Sequence, residues 1–428
     1  MSNNITKGNN TSVKLYFTLF LVQFIVCLPS LVQAQQISSN HSYIKNSTFT
    51  TDHNIEISGY GNFRLDYSSF QKENSDGSTD SSSKNAKTTS ENEISVDIHL
   101  QKEIDELTKI GIHYIPYIDN KYTSVMNRYY GYIDSYYGRI EFGNTTSVFN
   151  NMKVGADTIA LGSGGMGGNF ARTITLQSDY AFLLYPNSLL NQNFGYMNSS
   201  LDIDMWEDTR YLTKVNFYTP EFFGFQLAVG ITPNTKLKKE YLNTDNISIT
   251  DDVDTGMFLD FGVSYINTFD NLGIAISAVG EKNISNSSNK TDGVKEDIQN
   301  NFTSAELGVN VNYFGLTLAG SIGNVKIDID TTNNANIYSA YPIKKGTYLT
   351  YGFAYELESI SLSVTRFEGK YKDYTKFVST SFALEKNITK GVSIYGEYTS
   401  YTSSILNDTT QPKYKGDIAM VGVVLKFE

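Results

Sequence analysis

The 428-residue chain is poor in several things at once: one cysteine, one tryptophan, seven prolines, four histidines and only 18% charged residues. A lone thiol, Cys27, excludes a disulfide framework and a cysteine-based zinc site. The histidines are His41, His53, His99 and His113, and no G-x-S-x-G elbow accompanies them. A serine, histidine and acid triad therefore has little to draw on, and neither an enzyme nor a cofactor is expected. With 34 Lys+Arg against 45 Asp+Glu, the chain lacks the clustered cations that bind nucleic acid. Gly162 to Gly167 matches G-x-G-x-x-G, but no strand precedes it, no helical period follows, and Asp179 stands at the wrong distance. It reads as a segment that packs closely. The acidic stretches 250–256 and 327–330 lack a complete calcium-ligand spacing and read as solvated loops.

Long hydrophobic runs are also missing, with one exception. Leu15 to Leu28 is an apolar run after a basic, acid-free start carrying Lys7 and Lys14. Pro29 ends it, and Val32-Gln33-Ala34 fits a small-x-Ala cleavage pattern, so residues 1–34 read as a secretory signal peptide cleaved near Ala34. The run is short for a spanning helix, which needs about 20 apolar residues. Cleavage removes Cys27 and two lysines but no acid, which takes the formal charge from −11 to −13. A polar segment, 35–54, follows, and 55–428 reads as one domain.

What is present is alternation. Ile57, Gly59, Gly61, Phe63, Leu65 and Tyr67 share one face, and Glu56, Ser58, Tyr60, Asn62, Arg64 and Asp66 the other. Ile94, Val96, Ile98 and Leu100 oppose Glu93, Ser95, Asp97, His99 and Gln101. Tyr211, Thr213, Val215 and Phe217 oppose Arg210, Lys214 and Asn216, and Ala419, Val421, Val423, Leu425 and Phe427 close the chain in the same rhythm. Short links at Ile104–Glu106, Asp134–Ser135, Thr219–Phe223, Asn267–Asn271, Tyr313–Gly315, Glu356–Ser359 and Lys386–Lys390 alternate with long polar stretches. The long stretches are 68–92, 119–126, 144–209, 233–256, 282–301, 326–345, 367–377 and 402–416. The count is about sixteen strands.

Many segments run about nine to twelve residues, longer than the five or six of a sandwich strand. At about 3.3 Å per residue and a tilt near 45°, ten residues climb roughly 23 Å, the height of a membrane barrel's apolar band. Backbone groups cannot stay unpaired in lipid, so such strands must close into a barrel. Sixteen strands leave a lumen too wide for side chains to fill, and charged residues on the non-apolar face then line water. Aromatic residues near strand ends, among them Tyr67, Tyr117, Tyr122, Tyr129, Tyr130, Phe142, Phe217, Tyr218, Phe222, Phe223, Tyr313, Phe314, Tyr401 and Phe427, read as interfacial girdles. The expected fold is an all-β, transmembrane, antiparallel β-barrel.

Three stretches carry a family resemblance: Ile57-Ser58-Gly59-Tyr60-Gly61 in the opening strand, Tyr137-Gly138-Arg139-Ile140-Glu141-Phe142-Gly143, and Asp208 through Tyr218-Thr219-Pro220 with Gly224-Phe225. Together they resemble the general diffusion porins of Gram-negative outer membranes, in particular the alphaproteobacterial branch. One departure is that Phe427 is followed by Glu428, where the family ends on an aromatic residue. The resemblance implies passive diffusion of small hydrophilic solutes and ions through a water-filled channel. It also implies a homotrimer in contact with outer-membrane lipid and lipopolysaccharide, and a long third loop, here 144–209, folded into the lumen. That loop's acids would face basic residues on the opposite wall. The candidates are Asp157, Asp202, Asp204, Glu207 and Asp208 against Arg64, Arg128, Arg139, Arg210 and Lys214, with His99 and His113 as lesser members and Asp179 and Arg172 also in the loop. Such facing charges set a transverse field that filters ions, and the net charge leans toward cations. Two other readings compete: a surface barrel whose main work is adhesion or receptor binding through 68–92 and 233–256, and a secreted water-soluble all-β binding protein.

Overall fold

A computed structural model describes residues 54–73, 85–119, 126–165, 213–237, 253–283, 287–291, 294–298, 301–328, 345–371, 375–405 and 413–427. The signal-peptide segment 1–34 and nearly all of 35–54 lie outside the described residues. In chain order the strands are β1 (Asn54–Glu73), β2 (Asn85–Asp105), β3 (Thr108–Asp119), β4 (Met126–Ser135), β5 (Gly138–Asn144) and β6 (Thr213–Tyr218). There follow β7 (Phe225–Leu237), β8 (Val253–Phe269), β9 (Leu272–Asn283), β10 (Ser287–Thr291), β11 (Val294–Ile298) and β12 (Asn301–Tyr313). The last six are β13 (Leu316–Asp328), β14 (Lys345–Leu357), β15 (Ile360–Tyr371), β16 (Thr375–Thr389), β17 (Val392–Ile405) and β18 (Lys413–Phe427). Every strand but β10 and β11, which pair only with each other, belongs to one closed antiparallel barrel of sixteen strands.

The barrel closes where β1 pairs with β18, with Phe63 opposite Val423, Leu65 opposite Val421 and Arg64 opposite Gly422. Closure leaves no row of unpaired N–H and C=O groups. The period-two pattern sorts the side chains. Leu65 is 63% exposed on the outer face, while its neighbours Arg64 and Asp66 are 3% and 1% exposed inside. Phe261, Val263, Leu307, Val309, Leu318 and Ile322 are exposed outward in the same way. In water this continuous apolar wall would far exceed the few hundred Å² that a soluble monomer exposes. In hydrocarbon each square ångström contributes about 25 cal/mol instead of costing it. The water-soluble alternative fails on this point, since the apolar face lies outside the barrel.

Several boundaries differ from the sequence expectation. The second short link is Tyr136–Tyr137, two residues beyond Asp134–Ser135. The polar stretch 68–92 is mostly strand, because β1 runs to Glu73 and β2 begins at Asn85. The stretch 282–301 holds the β10–β11 hairpin. At each of these places the apolar alternation that marks a strand in the sequence is weak.

The aromatics divide likewise. Phe222 with Phe223 and Tyr313 with Phe314 form edge-to-face pairs at the short-turn end, joined there by Tyr136 with Tyr137. Tyr130, Tyr218 and Tyr401, expected in a girdle, instead point inward and are buried.

Candidate pore constriction

After β5 the chain turns into the barrel. Ser147 caps α1 (Val148–Met152), its Oγ accepting from the Asn150 N–H at 3.3 Å. Val148, Phe149 and Met152 bury against Tyr218, Ala228 and Val279 of the inner wall. Asn151 Nδ2 donates to the Tyr218 hydroxyl at 2.7 Å, and Asn216 Nδ2 donates to the Thr146 carbonyl at 2.8 Å. Beyond α1 the segment has no partner strand, so its backbone donors need other acceptors. The wall supplies them. The Val154 N–H donates to Ser277 Oγ of β9 at 2.9 Å, Ala156 to Thr350 Oγ1 of β14 at 3.3 Å, and Leu161 to Ser363 Oγ of β15 at 3.0 Å. Ser163 donates to Glu397 Oε2 of β17 at 2.7 Å. The segment thus runs along the inside of the wall from β7 to β17.

Two glycines make this course possible. A Cβ on Gly308 of β12 would stand 1.5 Å from the Val154 carbonyl oxygen, so no other residue leaves room for the segment. Gly162 has φ +69 and lies against Tyr395 and Glu397. The glycine-rich motif therefore serves close packing as far as Gly165, while Met166 and Gly167 lie outside the described residues.

Of the expected acidic loop and basic wall, Asp157 and the four cations Arg64, Arg128, Arg139 and Lys214 fall among the described residues. Asp157 lies inside the barrel, on the short 3₁₀ turn Ala156–Ile159. Its Oδ2 is 2.7 Å from Lys153 Nζ of the same segment. Its turn lies against β14, half-way round the sixteen-strand ring from β4 and nearly so from β4's neighbour β5, the strands that carry Arg128 and Arg139. Asp202, Asp204, Glu207, Asp208 and Arg210 lie outside the described residues, as do Arg172 and Asp179.

Arg64 bonds to Asp66 at 3.2 Å, to Glu93 at 2.6 Å and to Glu91, all nearly fully buried. Arg139 bonds to Glu141 at 2.8 Å and lies 3.9 Å over the Tyr132 ring. Arg128 stacks over Tyr130 at 5.0 Å. Lys214 is fully buried in the electrostatic field of Asp260 and Glu281. His99 and His113 stack with ring centroids 4.0 Å apart, His99 Nε2 lying 2.7 Å from the Tyr132 hydroxyl and His113 Nδ1 3.1 Å from Asp97.

The wall's cations are thus each engaged by the wall's own acids and rings. Sequence reasoning missed those acids: Glu91, Glu141, Asp260, Glu281, Glu306 and Glu397. Their parity along each strand was the available signal. It missed the hydroxyl ladder too, which shows in Ser361-Leu362-Ser363-Val364-Thr365 and Ser379-Thr380-Ser381.

A family model for Gram-negative porins matches residues 24–406. The chain belongs to that porin family. Among solved structures, the anion-selective porin from Comamonas acidovorans aligns with a TM-score of 0.53 at 15% identity, covering 88% of this chain and all of that one. OmpF of Salmonella typhi in complex with daunomycin aligns with a TM-score of 0.51 at 12% identity, covering 87% of this chain and 97% of that one. At such identities these porins share the fold. An uncharacterised protein of Rickettsia bellii (strain RML369-C) is 25% identical over 230 residues, 52% of this chain. The match covers about half the length of that relative, 51%.

Proposed function

We propose that this porin is an outer-membrane channel for passive diffusion of small hydrophilic solutes and ions. One observation carries the reading: a segment pinned across the interior of a closed barrel, at wall positions in the middle of their strands, narrows a lumen that sixteen strands would leave wide. Passage then needs no covalent step, and the eyelet filters by size and charge.

The charge of that belt favours cations. Among the described inward-facing residues, Asp66, Glu91, Glu93, Glu141, Asp260, Glu281, Glu306 and Glu397 are buried acids, against Arg64, Arg139, Lys153 and Lys214. Asp157 acts there through its pair with Lys153, and Arg128 belongs to the proposed constriction. The homotrimer, the lipid and lipopolysaccharide surroundings, and export with cleavage near Ala34 belong to the same proposal and rest on family membership.

Refolded protein in a planar bilayer should show discrete conductance steps, with a reversal potential of cation-selective sign in a salt gradient. A bilayer that shows no steps would remove the channel reading. An anion-selective sign would remove the charge argument alone.

A further inference from the structure

One row of the inner wall beneath α1 is short of hydrogen-bond donors. Asn216 of β6, Gly230 of β7, Asp260 of β8, Glu281 of β9 and Ser304 of β12 stand directly opposite one another across successive ladders. Thr232 stands two residues along β7 from Gly230, on the same face. Val148 and Met152 of α1 pack over the row, against Gly230 and Gly262. Asn216, Thr232, Asp260 and Glu281 are buried to 2% exposure or less.

With both carboxylates ionised, Asn216 Oδ1, Asp260 Oδ1 and Oδ2, Glu281 Oε2 and Thr232 Oγ1 lack a hydrogen-bond partner. The Asn216 amide is fixed in orientation, because its Nδ2 donates to the Thr146 carbonyl at 2.8 Å. Its Oδ1 and Asp260 Oδ2 converge over Gly230, 2.6 and 3.4 Å from where a Cβ would stand. Ser304 Oγ donates to Glu281 Oε1 at 3.3 Å, which leaves Oε2 to the site.

Except for the threonine hydroxyl, these oxygens only accept. One water brings two hydrogens, and a proton shared by the carboxylates answers one oxygen of each. Either leaves buried acceptors bare, which is costly. A cation answers them together. Lys214 lies in the same field and offsets one carboxylate charge, so a positive charge is still wanted. No group of three or more His, Cys, Asp or Glu among the described residues is arranged to hold a metal. The set here is two carboxylates, an amide and a hydroxyl, all oxygen, which suits a hard ion. Magnesium keeps its water and demands strict octahedral geometry, for which a row packed under Val148 and Met152 has little room. Calcium accepts irregular oxygen sets.

We infer that this row binds one calcium ion through Asp260, Glu281 and Asn216, with Thr232 completing the set. Bound there, the ion joins β6, β8 and β9 and steadies Asn216, which holds the Thr146 carbonyl at the root of the inner segment. With two carboxylates and a lysine in the field, the expected dissociation constant is about 10⁻⁴–10⁻³ M.

The test is calorimetric titration of calcium chloride into the full folded barrel, stripped with a chelator, in non-ionic detergent and sodium chloride. The wild type should bind one calcium ion in that range, with magnesium about tenfold weaker or more. Asp260→Asn and Glu281→Gln keep the shape, remove one charge each, and should each weaken calcium by about tenfold or more. Gly230→Ala keeps every ligand but crowds Asn216 Oδ1 and Asp260 Oδ2, and should weaken it too. Glu221→Gln, at an exposed acid of the short-turn end, should change nothing. Independently of any variant, calcium should raise the wild-type unfolding temperature above its value in equal magnesium.

A wild type that binds no calcium, or binding unchanged by both acid variants, would overturn the inference and leave the row to water or a shared proton. Equal weakening by Glu221→Gln would overturn it in favour of diffuse surface binding. Magnesium binding as tight as calcium, or equal unfolding temperatures in the two ions, would overturn it as well.

Discussion

Gly308→Ala probes the inner segment with a single methyl group. The added Cβ would sit 1.5 Å from the Val154 carbonyl oxygen. Ordinary contact between a carbon and an oxygen is about 3.3 Å, so the segment must withdraw by nearly 2 Å from a wall that is close-packed and does not yield. A shift of that size breaks the Val154 bond to Ser277 and the Ala156 bond to Thr350. At about 1 kcal/mol net for each bond, the attached state loses roughly 2 kcal/mol, close to a thirtyfold change in its population relative to detached arrangements. The barrel itself should hold, because Gly308 keeps its ladder partners Ser277 and Ser321. Single-channel recording should therefore give a lower main conductance, from displacement toward the pore axis, with frequent excursions between levels, while heat resistance of the folded band on a gel stays near wild type. Gly273→Ala is the control, since a Cβ there meets nothing closer than 3.6 Å. If Gly308→Ala conducts with the level and noise of the wild type, the segment is not held against β12 in the working channel and the constriction argument fails with it.

Three further outcomes are expected. Asp157→Asn leaves Lys153 without its partner at 2.7 Å and should shift the reversal potential toward anions, whereas Lys153→Gln should shift it toward cations; an unmoved potential in both would place the pair away from the ion path. Glu397→Ala removes the acceptor of the Ser163 N–H and should add channel noise, while Glu397→Gln keeps an oxygen there and should stay quiet; equal noise in the two would exclude the hydrogen bond as the anchor. Arg64→Gln strands Asp66, Glu91 and Glu93 and should destabilise the barrel by about 3–5 kcal/mol, read as a lower unfolding temperature in detergent, and a temperature unchanged from wild type would refute that cost.

The barrel was legible in the sequence because lipid enforces its rule on every strand: Phe63 and Leu65 must face outward, so Asn62, Arg64 and Asp66 must face inward, and no compensation elsewhere can relax that. The strand ends were not legible, since Ser69 to Glu73 and Asn85 to Ser90 carry no period-two alternation of apolar residues. The pore was legible only in part. Asp157 could be named as an acid in the long loop, but its partner Lys153 lies four residues away in the same segment. Nothing in a linear reading ranks that local pairing above a cation on a distant strand. The anchoring hydroxyls of Ser277, Thr350 and Ser363 were invisible for a different reason. Serine and threonine are ordinary on any wet strand face, and only the approach of an unpaired backbone gives them a task.

The seam between β1 and β18 has a consequence for how the molecule is made. Phe63 and Val423 are neighbours in space and 360 positions apart in the chain. The closing ladder is therefore the most non-local contact in the barrel, and loop-closure entropy and topology both make it late and slow. Until it zips, both terminal strands show open edges to the cell envelope, the kind of template on which chains stick to one another. Whatever escorts this polypeptide to the membrane has to shelter those two edges, and a residue change there would lower the yield of finished barrels without altering the current through any one of them.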